Sequence, residues 1–308
     1  MTTEQLKLPS YGGQALIEGV FMRGSRACAA AFRLPTGEIS VQTELLSGIY
    51  QSPIRKMLFL RGLIGLWDSM VLGTRYLITS ANMQGSEEEK IEGKTLYLTV
   101  GISFLIGIGF FFLLPAGVAQ GLEAWTSIPP WVGNLIEGMI RLVLLVGYLW
   151  GIGKSADITR LFGYHGAEHK TINAFEAGLP LDPESIQTQS TRHTRCGTGF
   201  LLTLVVFSII LFAFLTPLDP WLRLLGRLVL LPVLSMISYE YIRFTANHLS
   251  NPLVRALAAP SLALQGLTTR PPSLDMLEVS AAAFNAMLAL ESNQEVAPVH
   301  QEAEPVQA

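Results

Sequence analysis

The sequence predicts a mainly α integral membrane protein. It should have four transmembrane helices, a small N-terminal β-rich unit, and further helices in a cytoplasmic loop and at the C-terminal end. Three observations carry this prediction. Half of the 308 residues are apolar, 15% are charged, and mean hydropathy is +0.40, high for a water-soluble chain. The apolar residues gather into four runs of spanning length. Basic residues gather in alternate connections between those runs, the asymmetry expected of a multi-pass topology.

Residues 1–50 should hold the β-rich unit. Segment 14–22 is mostly apolar, and 27–34 and 38–45 flank Pro35-Thr36-Gly37, a natural hairpin turn. Residues 53–82 then read as an amphipathic helix. Within 57–78, Arg61, Asp68 and Arg75 recur every seven positions and make one narrow polar stripe. A fifth span here would carry Arg23, Arg26, Arg33, Arg55 and Lys56 outside, against the charge rule. The segment is therefore expected to lie in the interface or on the bundle. A polar linker, 83–94, follows.

The membrane region occupies 95–250, with spans at 95–119, 135–152, 197–216 and 222–242. The first is free of charge. The second carries Glu137 and Arg141, four apart with the acid first, the spacing of a structural helix pair. The fourth carries Arg223 and Arg227, expected to snorkel to the outer interface, and Glu240. Connection 120–134 has Glu123 but no Lys or Arg, and 217–221 has only Asp219. Lys90 and Lys94 precede the first span. Lys154, Arg160, Lys170, Arg192 and Arg195 follow the second, and Arg243 and Arg255 follow the fourth. Both termini and the loop 154–196 are thus expected on the cytoplasmic face of a plasma membrane. Residues 251–291 should form two cytoplasmic helices, 252–267 and 273–291, the latter with Ser273 as N-cap. The Gln-, Glu- and Pro-rich tail 292–308 is expected to be disordered. No internal repeat is visible.

Composition also narrows function. Net charge is −3 with no basic block, which argues against nucleic acid as a partner. The opening MTTEQLKLPS lacks a signal-peptide pattern, so the first span is expected to direct insertion. The two cysteines, Cys28 and Cys196, both fall on the reducing side, where a disulfide is not expected.

The chemistry concentrates in His165-Gly166-Ala167-Glu168-His169. On a helix the two histidines project from one face, one turn apart, and can share a metal ion. Glu168 lies beside them, where it could act as the base that takes a proton from water, as in inverted zinc-hydrolase motifs. A hydrolytic site needs three protein ligands and an open position. Glu240, Glu176 and Cys196 are the candidates for the third, with His193 and His248 nearby in the same topology. Glu240 attracts because a carboxylate in a span needs a partner, although an ion pair with Arg243 accounts for it equally well. The expected cofactor is a divalent metal, zinc first. A histidine pair on a loop helix can also be ordinary polar surface.

Several segments together resemble a known family. They are Gly12-Gly13-Gln14-Ala15-Leu16-Ile17-Glu18-Gly19-Val20-Phe21-Met22-Arg23-Gly24, the run from Tyr164 through Lys170 to Glu176, Arg195-Cys196-Gly197-Thr198, Tyr239-Glu240 and Leu267-Thr268-Thr269-Arg270. This set is similar to the YqhQ family of bacterial membrane proteins, the domain of unknown function 1385, from about residue 11 to residue 289. The resemblance implies a predicted metal-dependent enzyme of no stated substrate. Its motifs carry over at Glu18, Met22, Arg23, His165, Glu168, His169, Lys170, Asn173, Glu176, Arg195, Cys196 and Glu240. Pro271-Pro272-Ser273 departs from the acidic run usual there.

Two functions follow as expectations. One is a metal-dependent hydrolase at the cytoplasmic face, with the lipid bilayer as surroundings and an unnamed substrate. The other is a non-enzymatic scaffold or assembly factor with a protein partner, in which the His/Glu cluster is structural. Transport ranks third, since four spans are few for a carrier unless the chain is a homo-oligomer.

Overall fold

The computed structural model describes residues 11–85 and 93–292; most of the expected linker 83–94, and all of the expected tail beyond Ser292, lie outside them. The described chain is mostly helical, with one small antiparallel sheet at its start.

Four strands form that sheet: β1 (Gly12–Leu16), β2 (Gly19–Arg23), β3 (Ala27–Arg33) and β4 (Ile39–Leu45), paired in sequence order. The turn at Gly37, with φ +90°, joins β3 to β4 where the sequence places it. Segment 14–22 is not one strand, however, but most of a tight hairpin. It turns at Ile17-Glu18, and Glu18 takes φ +53°, a left-handed conformation costing a non-glycine residue about 1 kcal/mol. Arg160 and the Tyr164 hydroxyl both bond the Glu18 carboxylate and hold it there.

Both faces of the sheet are covered, which is why β3 reads as the unbroken apolar run Ala27-Cys28-Ala29-Ala30-Ala31-Phe32. One face presents Val20, Met22, Ala29 and Ala31 to two helices, α6 (Ala156–Glu176) and α11 (Leu274–Glu291). The other presents Leu16, Phe21, Ala30 and Phe32 to Leu72 and Tyr76. Those two residues belong to the helix expected over 53–82. It consists of α1 (Leu60–Asp68), a π-helical turn (Ser69–Gly73) and α2 (Thr74–Gln84). Each member of its polar stripe finds an opposite charge in the protein: Arg61 pairs with Glu240 and the buried Asp68 with Arg23, while the Arg75–Glu44 pair stays exposed. Trp67, Met70 and Val71 are left exposed on the outside.

Next comes a long helix made of α3 (Gly93–Ile108), a π turn (Gly109–Leu113) and α4 (Leu114–Thr126). It is followed by α5 (Pro130–Ile152), α8 (Gly197–Ala213) and α9 (Pro220–Asn247). Three helices are long and apolar enough to cross a membrane: Leu98–Thr126, Pro130–Ile152 and Pro220–Asn247. Gly197–Ala213 is equally apolar but only 17 residues long, about 26 Å at 1.5 Å per residue. Trp125, Trp131 and Trp221 are strongly exposed at one common end of the bundle, where tryptophans mark a membrane–water interface. Connection 120–134 is mostly helix, broken only between Thr126 and Pro130. Arg223 and Arg227 do not snorkel: both are buried, paired with Glu123 and Glu137 respectively.

α7 (Pro183–Gln187) and α10 (Pro252–Leu264) complete the described chain. α6 begins at Ala156, a full two turns before Tyr164. Ser273 stands at the N-cap of α11 without a side-chain capping bond.

Candidate metal centre

The His-x-x-Glu-His motif lies in the second half of α6. The His165 and His169 rings are 4.4 Å apart at their centroids. Each Nδ1 meets a backbone carbonyl: Thr268 O for His165 at 2.8 Å, Thr191 O for His169 at 2.6 Å. A carbonyl can only accept, so both rings carry a proton on Nδ1, and in the neutral imidazole form each Nε2 presents a lone pair. Carbonyl partners at the far nitrogen are the usual support of a metal-ligating histidine.

Cys196 brings a third donor. It is the N-cap of α8, where its Sγ accepts from the Thr198 N–H and lies 3.3 Å from His165 Nε2. The ligand atoms of His165, His169 and Cys196 all lie within 4.8 Å of one another. A tetrahedral zinc ion needs its nitrogen and sulfur ligands about 3.4–3.6 Å apart, so the three residues fit such an ion with small side-chain adjustments.

Two wrapping segments build the cluster. Lys170 Nζ donates to the carbonyls of Gln187 and Gln189, and Asn173 Nδ2 to those of Ser190 and Arg192. These bonds hold the stretch before Cys196 against α6 and aim the Thr191 carbonyl at His169. Burial pushes the Lys170 amine below its usual range. On the other side, Gln265 clasps the backbone of His193 through both ends of its amide. Arg270 N donates to Phe162 O at 2.9 Å, and the segment 268–270 lies close over Gly166. A side chain at Gly166 would collide with the Arg270 carbonyl, so only glycine lets the Thr268 carbonyl approach His165.

Glu168 points under the sheet. It is 5% exposed, and the Gly13 N–H bonds its carboxylate. A Cβ at Gly13 would sit 2.9 Å from Glu168 Cγ, so the glycine at 13 is what lets β1 cross the motif. Burial pushes the Glu168 carboxyl up to about 7, against the opposing pull of His165 and of Gly13.

The remaining candidates stand elsewhere. Glu240 is held by Arg61 and by the Phe59 N–H, not by Arg243. Glu176 pairs with Arg195 and faces His193 Nε2 at 3.6 Å. Burial raises the Glu176 carboxyl, but His193 and Arg195 outweigh it and hold the group below its usual range. His193 is buried and pushed toward its neutral form. His248 bonds the Phe244 carbonyl of its own helix end. Neither Glu240 nor Glu176 belongs to the three-donor cluster found among the described residues. Both cysteines are free, and burial drives the Cys28 thiol up to about 12. Sequence reasoning missed the Thr191 and Thr268 carbonyls, because a backbone group leaves no mark on residue type. It also passed over Gly13, whose signal was the paired glycines.

A family profile described as "Protein of unknown function (DUF1385)" matches residues 57–290, from the covering helix through α11 but not the sheet. The chain is 34% identical over 310 residues to the "Uncharacterized protein YqhQ" of Bacillus subtilis (strain 168). That alignment takes in 95% of this chain and 97% of the relative, the sheet region included. No solved structure matches.

Proposed function

The chain belongs to the DUF1385 family, and on that premise we propose that it is a multi-pass membrane protein with a metal-dependent hydrolytic site at its cytoplasmic face. In this reading four helices span the plasma membrane, the 17-residue α8 being short enough to thin the bilayer slightly around it. Both termini, the sheet and α6 lie in the cytoplasm, by the distribution of Lys and Arg.

One observation carries the site: two histidine Nε2 atoms and one cysteine Sγ converge, the histidines held at Nδ1 by backbone carbonyls and the Sγ itself accepting from the Thr198 N–H. His165, His169 and Cys196 would hold the ion, leaving a fourth position for water or substrate. A divalent ion there would supply Lewis acidity and make water a better nucleophile near neutral pH. Glu168, poised near 7, can hold a proton on its carboxylate and pass it on at that pH. Lys170 and Asn173 act as positioning residues through the carbonyls they hold.

A second reading has its own support. His169 is 1% exposed and Cys196 6%, so an ion there would be largely screened from an incoming substrate, as suits a structural role. The ion would then clasp α6 to the start of α8, fastening the cytoplasmic layer to the bundle.

The test is metal content of the detergent-purified protein by elemental analysis, beside Cys196→Ser and a His165→Ala/His169→Ala double variant. About one ion per chain, lost in both variants, is expected; wild type that cannot be loaded would end both readings. Glu168→Gln then separates them. Hydrolysis requires retained metal with lost turnover. The clasp requires that metal removal lower the melting temperature in wild type and in Glu168→Gln alike.

A further inference from the structure

The bundle carries a second polar cluster, far along the chain from the motif and unused by the site above. Glu137 Oε1 takes Arg141 and its Oε2 takes Arg227, while Glu123 takes Arg223 at 2.8 Å. Arg223 and Arg227 are one turn apart on α9 and share a face. The five side chains are nearly or fully buried, Glu137 at 0% and Arg141 at 2%. Each of the three guanidinium groups touches a carboxylate, but there are only two carboxylates among them, so the cluster carries an excess of one positive charge. The nearest other acid in sequence, Asp219, lies exposed at the foot of α9.

Hydrogen bonding points to the same place. Arg141 is well satisfied: besides Glu137 it donates to Ser208 Oγ and to the Phe111 carbonyl of the π turn, each at 3.3 Å. Arg227 is not. It is 4% exposed, yet its Nε and Nη1 have no partner, and neither does Arg223 Nε. Excess positive charge and unfilled donors therefore coincide on one face of α9, at the end of the bundle marked by Trp125, Trp131 and Trp221. Burying excess positive charge and unfilled guanidinium donors in an apolar bundle is unfavourable, and an anion that takes those donors lowers the penalty.

We propose that Arg223 and Arg227 form a binding site for one monovalent anion in the outer half of the bundle. A halide or small oxyanion and the phosphodiester of an outer-leaflet lipid headgroup share the required chemistry. The site goes beyond the metal centre and does not depend on it.

The test uses the full chain in micelles of a non-ionic, phosphate-free maltoside detergent at constant ionic strength, with melting temperature read as gluconate is replaced by chloride, nitrate or phosphate. A rise that saturates with concentration identifies a free anion. No rise with salts, but a saturating rise when phosphatidylglycerol is added to the micelles, identifies the lipid headgroup. Arg227→Gln should abolish either response while leaving the Glu137–Arg141 pair intact. Glu123→Gln, which frees a second positive charge, should bind the same anion at least tenfold more tightly and keeps the test decisive if Arg227→Gln fails to fold. Wild type and Glu123→Gln that both ignore every salt and phosphatidylglycerol, or respond without saturating, would overturn the proposal.

Discussion

Gly166→Ala tests how the site is assembled. The added methyl group would fall over an ångström short of the 3.4 Å at which ordinary contact begins, against the Arg270 carbonyl oxygen. That oxygen cannot swing away like a side-chain tip, because Arg270 N is bonded to Phe162 O one turn up the same helix. Segment 268–270 must lift, and the 2.8 Å bond from His165 Nδ1 to Thr268 O stretches or breaks. Overpacking of this kind costs about 1–3 kcal/mol, offset by up to about 1 kcal/mol of helix propensity gained over glycine. Net destabilisation of about 1–2 kcal/mol is expected. Loss of a ligand's supporting bond typically weakens metal binding about 10–100-fold. The assay is zinc affinity by chelator competition, with melting temperature in parallel. Gly266→Ala is the control, since a Cβ there meets nothing within 4 Å. If Gly166→Ala binds zinc as tightly as wild type and melts at the same temperature, the carbonyl does not support the ligand and the reasoning is wrong.

Three other outcomes are expected. In metal-stripped protein the raised Glu168 carboxyl leaves the folded state holding more protons than the unfolded one between pH 4.5 and about 7. Stability should therefore fall as pH rises through that window, by about 3 kcal/mol. Glu168→Gln should lack this component, and parallel pH profiles of wild type and variant would refute it. Phe284 is fully buried, with Tyr11 and Phe175 rings at 5.3 and 4.9 Å. Phe284→Ala should cost about 3–5 kcal/mol and open the sheet to limited proteolysis; wild-type protease resistance would show that α11 does not hold it. Ser127→Cys, in the break between α4 and α5, should react with a membrane-impermeant maleimide in intact cells, whereas Ser190→Cys should react only after permeabilisation. The opposite pattern would invert the proposed topology.

What the sequence revealed depended on whether a feature is written in residue type. The hairpin at Gly37 was legible because a left-handed turn selects glycine. The turn at Glu18 was not, because partners on α6 hold a residue that turn chemistry would not choose. The stripe Arg61, Asp68, Arg75 was legible as periodicity, but its direction was not. A polar stripe on an amphipathic helix normally faces water, and here each member finds an opposite charge within the protein. Arg223 and Arg227 were misread for a related reason: snorkelling is the expectation for a lone helix, and Glu123 and Glu137 come from other helices. At the candidate centre the i, i+4 histidines were visible at once. The choice of Cys196 over Glu176 and Glu240 was not, since it depends on where α8 begins relative to α6 and on which acids an arginine already holds.

The sheet and its cover come from opposite ends of the chain. Ser25 bonds Glu291 across 266 positions, and β2 and β3 share a core with Phe284 and Met287. At about 5–20 residues per second, the strands would wait roughly 13–50 s after synthesis for the helix that covers one of their faces. In the proposed topology the spanning segments between them are inserted during that interval. Completion of the sheet's cover thus reports that everything from β1 to α11 has been made and, in that topology, threaded. A truncated or mis-inserted product would be left displaying the Val20, Met22, Ala29 and Ala31 face, an apolar surface of the sort that chaperones and proteases engage.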